Sequence, residues 1–277
     1  MDILIAIFLG AVQGLTEFLP VSSSGHLVLL QKIFGIENPT LFFEVMLHAG
    51  TLIAVFAVLR KEIWAILCKP LQPLTGFLII GTIPIIIAAL VFRKPLEQLF
   101  ETGEYLSFAF LSTSLLLVTA ELLAKRAAKI DTKKYSEMNW QAMKWQDALV
   151  VGIMQAIAVV PGISRSGATL SGALSRGLNR DFAARFSFLL SIPAILGALA
   201  LHVKEMAVDG VAADAAGGSA GAAAVIAGTA AAAVVGFFAI RFMLKIIREK
   251  SLYGFAIYTA VLGVLVIIDQ FVTRFIF

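Results

Sequence analysis

Charge is scarce in this chain. Only 14% of its 277 residues are Asp, Glu, Lys or Arg, where a soluble domain carries about 25%. Cysteine is nearly absent, and the lone Cys68 excludes a disulfide framework within the chain and any Cys-x-x-Cys zinc or redox site. No His-Glu-x-x-His, P-loop or nucleophile-elbow pattern occurs among its few polar segments. The sequence is instead apolar: 60% hydrophobic before its 22 glycines are counted, with a mean hydropathy of +0.93. A soluble protein of this size needs a polar skin that such a composition cannot supply. Soluble enzyme, disordered chain and nucleic-acid binder are all disfavoured. The composition implies an all-α polytopic membrane protein, with most charges at the interfaces.

Apolar runs near the roughly 20-residue spanning length fall at about 41–60, 72–92, 105–124, 182–203, 217–240 and 252–272. Two further apolar stretches, 2–19 and 145–160, run instead into polar, small-residue segments: Pro20 to His26 and Pro161 to Gly167. Irregular backbone at membrane depth is tolerated only where protein or a wet cavity surrounds it. These stretches therefore read as re-entrant helical hairpins, at about 2–35 and 145–178, whose tips meet inside the protein. The N-terminus does not read as a signal peptide, since Asp2 stands where a basic region belongs.

The two polar segments align at an offset of about 142, placing Gln13 on Gln155, Ser22 on Ser164, Ser24 on Ser166 and Gly25 on Gly167. Each half then holds one hairpin and three spans, and an odd number of spans inverts the second half. The expectation is a single membrane domain built from an inverted-topology repeat, 1–128 and 140–277, with polar sites near the midplane where broken helices meet. Charge placement agrees. Arg60, Lys61 and Lys69; Lys125, Arg126, Lys129, Lys133, Lys134 and Lys144; Arg176, Arg180 and Arg185; and Arg241, Lys245, Arg248 and Lys250 all fall on one predicted face. By the positive-inside rule that face is cytoplasmic. Glu97, Glu101, Glu104, Glu205, Asp209 and Asp214 fall opposite, and both termini lie outside. The Ala/Gly-rich run Val211 to Ala233 reads as the start of a span rather than a linker, because the topology needs a crossing there.

Glu17 lies deep in the first apolar stretch, where an acid is costly unless paired or functional. Gln13 shares its helix face. Pro20 ends the helix, and Ser22, Ser23, Ser24, Gly25 and His26 crowd the turn. The bland alternative is a helix cap, which leaves a buried acid and a histidine within ten residues unexplained. In the second tip, Arg165 sits between Ser164 and Ser166, preceded by Gly162 and followed by Gly167 and Thr169. A guanidinium, hydroxyls and successive N–H groups at a helix start suit phosphate oxygens. The bland alternative is a structural Arg165–Glu17 pair. Together the tips offer an anion cradle, a carboxylate for a hard cation, a hydroxyl nucleophile and an imidazole, the set that phosphoryl transfer needs.

Lesser candidates are Glu44 and His48, an i, i+4 pair with a structural role unless their span borders the hairpins; Glu121 and Asp269, near span ends and expected to reach water; and His202, expected at the interface. Ser24-Gly25-His26 and Ser164-Arg165 bear a partial likeness to type 2 phosphatidic-acid phosphatases. That likeness fails where Ser171 and Ser175 stand in place of the required histidine and aspartate.

Gln13-Gly-Leu-Thr-Glu17-Phe-Leu-Pro-Val-Ser-Ser-Ser-Gly-His26 and Pro161-Gly-Ile-Ser-Arg-Ser-Gly-Ala-Thr169 resemble the two signature motifs of the bacterial undecaprenyl-diphosphate phosphatases, the bacitracin-resistance family. The resemblance extends over essentially the whole chain; the family's motif carries glutamate or glutamine at the position of Gln13, which departs from those members that have glutamate. It implies hydrolysis of undecaprenyl diphosphate to undecaprenyl phosphate and inorganic phosphate, recycling the lipid carrier for cell-wall synthesis. A divalent cation, Mg2+ or Ca2+, is implied as cofactor, with Glu17 as its ligand. The implied location is the cytoplasmic membrane, with the site open to its outer face. The expected catalytic residues are Glu17, Ser23, His26 and Arg165. Gln13, Ser22, Ser24, Gly25, Gly162, Ser164, Ser166, Gly167 and Thr169 are expected to contact substrate. Ser23, His26 and water remain open as the nucleophile. The partners are the lipid substrate and membrane lipids, with no nucleic acid, and a second copy of the chain is a candidate in a homodimer. A transporter or lipid flippase is the rival from another class, since inverted repeats with broken helices are first of all a transporter design.

Overall fold

The computed structural model describes residues 2–36, 41–92, 103, 105–130, 141–209 and 218–276. Among them are eleven α-helices and no strand. The predicted acidic loop residues Glu97, Glu101, Glu104 and Asp214, and Lys133 and Lys134, lie outside the described residues, as do the side chains of His202, Glu205 and Asp209.

Helices α1 (Ile3–Thr16) and α2 (Ser23–Ile33) form the first hairpin. Asp2 caps α1 by accepting the Leu4 amide at 2.9 Å, and Pro20, which has no N–H to donate, follows its end. Then come α3 (Leu41–Val58), α4 (Arg60–Cys68), α5 (Pro73–Val91) and α6 (Leu106–Ile130). The second hairpin is α7 (Trp145–Ile157) and α8 (Arg165–Ser175), followed by α9 (Arg180–Asp209), α10 (Gly218–Glu249) and α11 (Tyr253–Ile268). A single π-helical turn, Asp269–Thr273, extends α11.

Among the described residues, five helices are long and apolar enough to cross a membrane: Pro73–Val91, Leu106–Lys129, Arg180–Leu201, Gly221–Glu249 and Tyr253–Thr273. They coincide with five of the six expected spans, and α10 carries the Ala/Gly-rich segment as helix from Gly218. The sixth differs. Phe42–Val58 and Arg60–Cys68 pass the same test only together, and they meet at a 79° bend. The hairpin arms α1, α2, α7 and α8 hold 14, 11, 13 and 11 residues, all short of the roughly 20 that a crossing requires. Large apolar side chains face outward along α5 (Ile79, Ile83, Ile87), α10 (Val234, Phe238) and α11 (Ile257, Val261, Leu265). In water such a continuous surface would be a liability; in lipid it is the solvent-facing surface. The chain is a multi-pass membrane protein.

Packing crosses between the halves of the sequence. Helix α1 lies along α10 and α7 along α5, while α3 also touches α10 and α9 touches α5. The first two contacts are made backbone to backbone. A Cβ at Gly10 would sit 2.1 Å from the Gly228 carbonyl oxygen, and one at Gly152 would sit 2.6 Å from that of Gly81. Glycine alone permits that approach. Gly152→Leu is expected to destabilise the protein by about 1–3 kcal/mol through forced separation of α7 from α5, read as a lower melting temperature in detergent. The largest apolar cluster gathers Leu174 of α8, Phe186 and Leu190 of α9, Ile240 and Met243 of α10, and Phe18 from the first tip.

Ion pairs tie the predicted basic segments together. Arg185 pairs with Glu62 of α4 and, at 3.1 Å, with Asp181, which also holds Arg248 of α10 at 2.7 Å. Arg180 grips both Glu121 oxygens, at 2.7 and 2.8 Å, and Leu252 N–H donates to the same carboxylate at 3.1 Å. Glu121 is therefore not at water as its position near a span end suggests; it is 1% exposed because Arg180 arrives from α9 to neutralise it. Asp269 is likewise buried, accepting the Phe275 and Ile276 amides at 3.0 Å each and folding the C-terminal turn.

Candidate active site

The tips of the two hairpins touch. Ser24 Oγ accepts the Gly162 amide at 3.1 Å, and Ser166 Oγ donates to the Leu19 carbonyl at 2.9 Å. Helices α2 and α8 start at this junction, and both starts are built alike. Ser22 Oγ accepts the Gly25 amide at 3.2 Å, and Ser164 Oγ accepts the Gly167 amide at 3.0 Å. Two helix N-termini, each carrying roughly half a positive charge, thus converge on one small volume. That is a ready anion site.

Glu17 sits among these groups, 6% exposed, immediately after α1. Its Oε1 accepts from Arg165 Nη2 at 2.6 Å. Its Oε2 accepts from Gln13 Nε2 at 3.0 Å and from Ser23 Oγ at 2.5 Å. His48 Nε2 of α3 stands 3.8 Å from the same oxygen. An isolated carboxylate in an apolar interior is expensive, and this shell of one guanidinium and two neutral donors is what makes its burial tolerable. Gln13 is fully buried, and its Oε1 has no hydrogen-bond partner.

Four predicted residues therefore meet: Gln13, Glu17, Ser23 and Arg165. His26 is close in sequence but turned elsewhere. Its Nδ1 lies 2.6 Å from the Ser22 carbonyl and its Nε2 lies 2.7 Å from the Tyr258 hydroxyl of α11. The partner of the Ser23 hydroxyl is Glu17. The expected substrate contacts are bonded within and between the tips, and three more of them complete that pattern. The Gly25 and Gly167 amides go to the capping serines. Thr169 Oγ1 donates to the Arg165 carbonyl at 2.8 Å and lies 2.5 Å from Ser187 Oγ, so it braces the first turn of α8 from behind. Gly162 has a φ of +83° and sets the turn into α8, while the Ser164 amide donates to Thr113 Oγ1 at 3.0 Å.

Glu44 and His48 are not a side-chain pair. His48 Nδ1 lies 2.8 Å from the Glu44 backbone carbonyl, and Gln31 Nε2 donates to Glu44 Oε1 at 2.8 Å. That frees the His48 ring to face Glu17. Sequence reasoning missed Tyr258, Thr113 and Ser187 altogether. Each is one of several hydroxyls on a largely apolar span, a weak signal that did not say which tip it served.

The chemistry offered is that of an oriented hydroxyl, a carboxylate against it and a guanidinium beside both, at two converging helix starts. A family model described as bacitracin resistance protein BacA matches residues 6–265. The chain is 44% identical over 270 residues to an undecaprenyl-diphosphatase of Carboxydothermus hydrogenoformans, covering 98% of each. It is 40% identical over 275 residues to undecaprenyl-diphosphatase 3 of Bacillus cereus, covering 99% of this chain and all of that one. An undecaprenyl-diphosphatase of Halothermothrix orenii is 38% identical over 270 residues, covering 97% and 98%.

Proposed function

This chain belongs to the bacitracin resistance protein BacA family, and from that premise we propose that it hydrolyses undecaprenyl diphosphate to undecaprenyl phosphate and inorganic phosphate. The observation that carries the reading is the Ser23–Glu17–Arg165 contact at two converging helix N-termini. Arg165 and the helix starts bind the diphosphate and neutralise its oxygens. Ser23 Oγ attacks the terminal phosphorus as Glu17 Oε2 takes its proton. The bond to the bridging oxygen breaks, and undecaprenyl phosphate leaves beside Arg165, its new terminal oxygen taking the proton from Glu17 and returning the carboxylate to its charged form. Water then cleaves the phosphoserine ester and releases phosphate, with Glu17 as the general base. Direct attack by water on the diphosphate uses the same carboxylate. His26 is the weaker nucleophile candidate, because both of its ring nitrogens already have partners.

A divalent cation fits this site. Among the described residues no group of three or more His, Cys, Asp or Glu forms a protein cage, but magnesium is usually held by one or two protein oxygens together with substrate phosphates. Glu17 and the unpartnered Gln13 Oε1 are the residues that would hold it. Bound there, it would neutralise diphosphate charge.

The architecture proposed is two inverted halves, 1–128 and 140–277, each one re-entrant hairpin and three crossings. The twin serine caps support it, as do the reciprocal packing of α1 on α10 and α7 on α5 and the paired close approaches of Gly10 and Gly152. The ion pairs linking α4, α6, α9 and α10 support a single basic face, cytoplasmic by the positive-inside rule. The site then opens outward, in the cytoplasmic membrane, and serves recycling of the lipid carrier.

Incubation with a prenyl diphosphate carrying a labelled terminal phosphate tests the chemistry. Quenching in denaturant near neutral pH, where phosphoserine and phosphohistidine both survive, is expected to trap label on Ser23 and to trap none in Ser23→Ala, with phosphate release falling by roughly 10³-fold or more. Label on His26 overturns the assignment. Undiminished release by Ser23→Ala shows that water attacks directly.

A further inference from the structure

Two features around His26 have no place in the reaction just described. The first is Ser22, a non-glycine residue held at a φ of +73°, in the region that side chains with a Cβ avoid. The second is Tyr258, a hydroxyl from the last helix that reaches His26 across 232 residues of sequence.

The hydrogen-bond pattern fixes the state of the ring. A carbonyl can only accept, so His26 Nδ1, 2.6 Å from the Ser22 oxygen, carries a proton and donates it. In the neutral ring Nε2 is then the acceptor, and the Tyr258 hydroxyl at 2.7 Å donates to it. The ring is confined on its other side by Phe110, edge-on with centroids 5.5 Å apart, while the Tyr258 ring lies within 7° of parallel to it. The Ser22 carbonyl receives a second bond, from the His26 backbone amide at 3.2 Å. Both bonds close on the strained residue that directly precedes Ser23.

We propose that Tyr258 is a positioning residue for the hydrolysis: through His26 it locks the Ser22 turn, and the locked turn aims the Ser23 hydroxyl at Glu17. His26 acts here by holding, with its Nδ1–H as the working group, and α11 of the second half thereby sets the nucleophile of the first. The inference rests on the reading of Ser23 and Glu17 given above.

The test uses full-length protein purified in detergent and phosphate release from a prenyl diphosphate, with Tyr258→Phe, His26→Asn, His26→Ala, Ser23→Ala and the double variant His26→Ala/Tyr258→Phe. Asparagine keeps a donor where Nδ1–H stands and has no imidazole base. Tyr258→Phe is expected to lower kcat about tenfold, the worth of one oriented hydrogen bond, with KM within about twofold and the melting temperature unchanged. His26→Asn is expected to recover activity well above His26→Ala. The double variant is expected to be no worse than His26→Ala alone, because Tyr258 acts only through His26. Full activity in Tyr258→Phe overturns the proposal, as do multiplying losses in the double variant or a His26→Asn as inactive as His26→Ala. If Ser23→Ala stays fully active, the reading of the nucleophile has failed instead; an inactive Ser23→Ala beside a normal Tyr258→Phe sinks only the positioning role.

Discussion

Arg165→Ala is expected to lower phosphate release by roughly 10³-fold, the loss seen when a preorganised charge partner is removed from a phosphoryl or oxyanion site. The reasoning is geometric. Arg165 is the first residue of α8 and its guanidinium already lies 2.6 Å from Glu17, so it bridges the carboxylate and the cradle formed by the helix starts. Removing it leaves Glu17 buried without its cation and the diphosphate without its strongest donor. Arg165→Lys is expected to recover little, since a point charge cannot serve carboxylate and phosphate together as a planar fork does. Measurement of kcat and KM separates the effects: loss of the cradle raises KM and lowers kcat, whereas a purely structural pair would lower the melting temperature and leave kcat/KM of the folded fraction intact.

The second large effect falls on stability, at the opposite end of α6. Glu121→Ala is expected to cost about 3–5 kcal/mol, the usual result of breaking a buried ion pair from one side. It removes the carboxylate that takes two bonds from Arg180 at 2.7 and 2.8 Å, leaving that guanidinium, among the described residues, only the Lys250 carbonyl at 3.4 Å, and deprives the Leu252 amide of its acceptor. Glu121→Met with Arg180→Met is expected to lose far less than Glu121→Ala, because no uncompensated charge remains. Thermal unfolding in detergent, followed by loss of soluble monodisperse protein, reads both. A Glu121→Ala protein as stable as the parent would place this carboxylate at water after all.

What the sequence disclosed follows from which physical signals are local. Spans such as Pro73–Val91 and Tyr253–Thr273 were legible because the bilayer demands an apolar run of known length. Glu17 and Arg165 were legible because neither composition nor solvation explains a charge at that depth. The 79° bend between α3 and α4 was not, since neither glycine nor proline marks Leu59 and the charges Arg60, Lys61 and Glu62 read as the loop after a span rather than as a second helix. Nor was the burial of Glu121, which depends on an arginine delivered by α9. Thr169 was read from its motif as a substrate contact; its placement, with the hydroxyl on the Arg165 carbonyl and Ser187, is set by helical register and by α9, which the motif does not disclose. Tyr258 shows the limit most plainly. A hydroxyl in a largely apolar helix can be noticed, but its partner is set by how the helices pack.

The most direct test of the account is phosphate release from undecaprenyl diphosphate by the purified protein in detergent, where no two sides exist, with and without a chelator. One inorganic phosphate per lipid, lost on chelation and restored by added magnesium or calcium, is the predicted result. Binding of the lipid with no phosphate released under any metal condition would contradict it and favour a carrier built on the same scaffold.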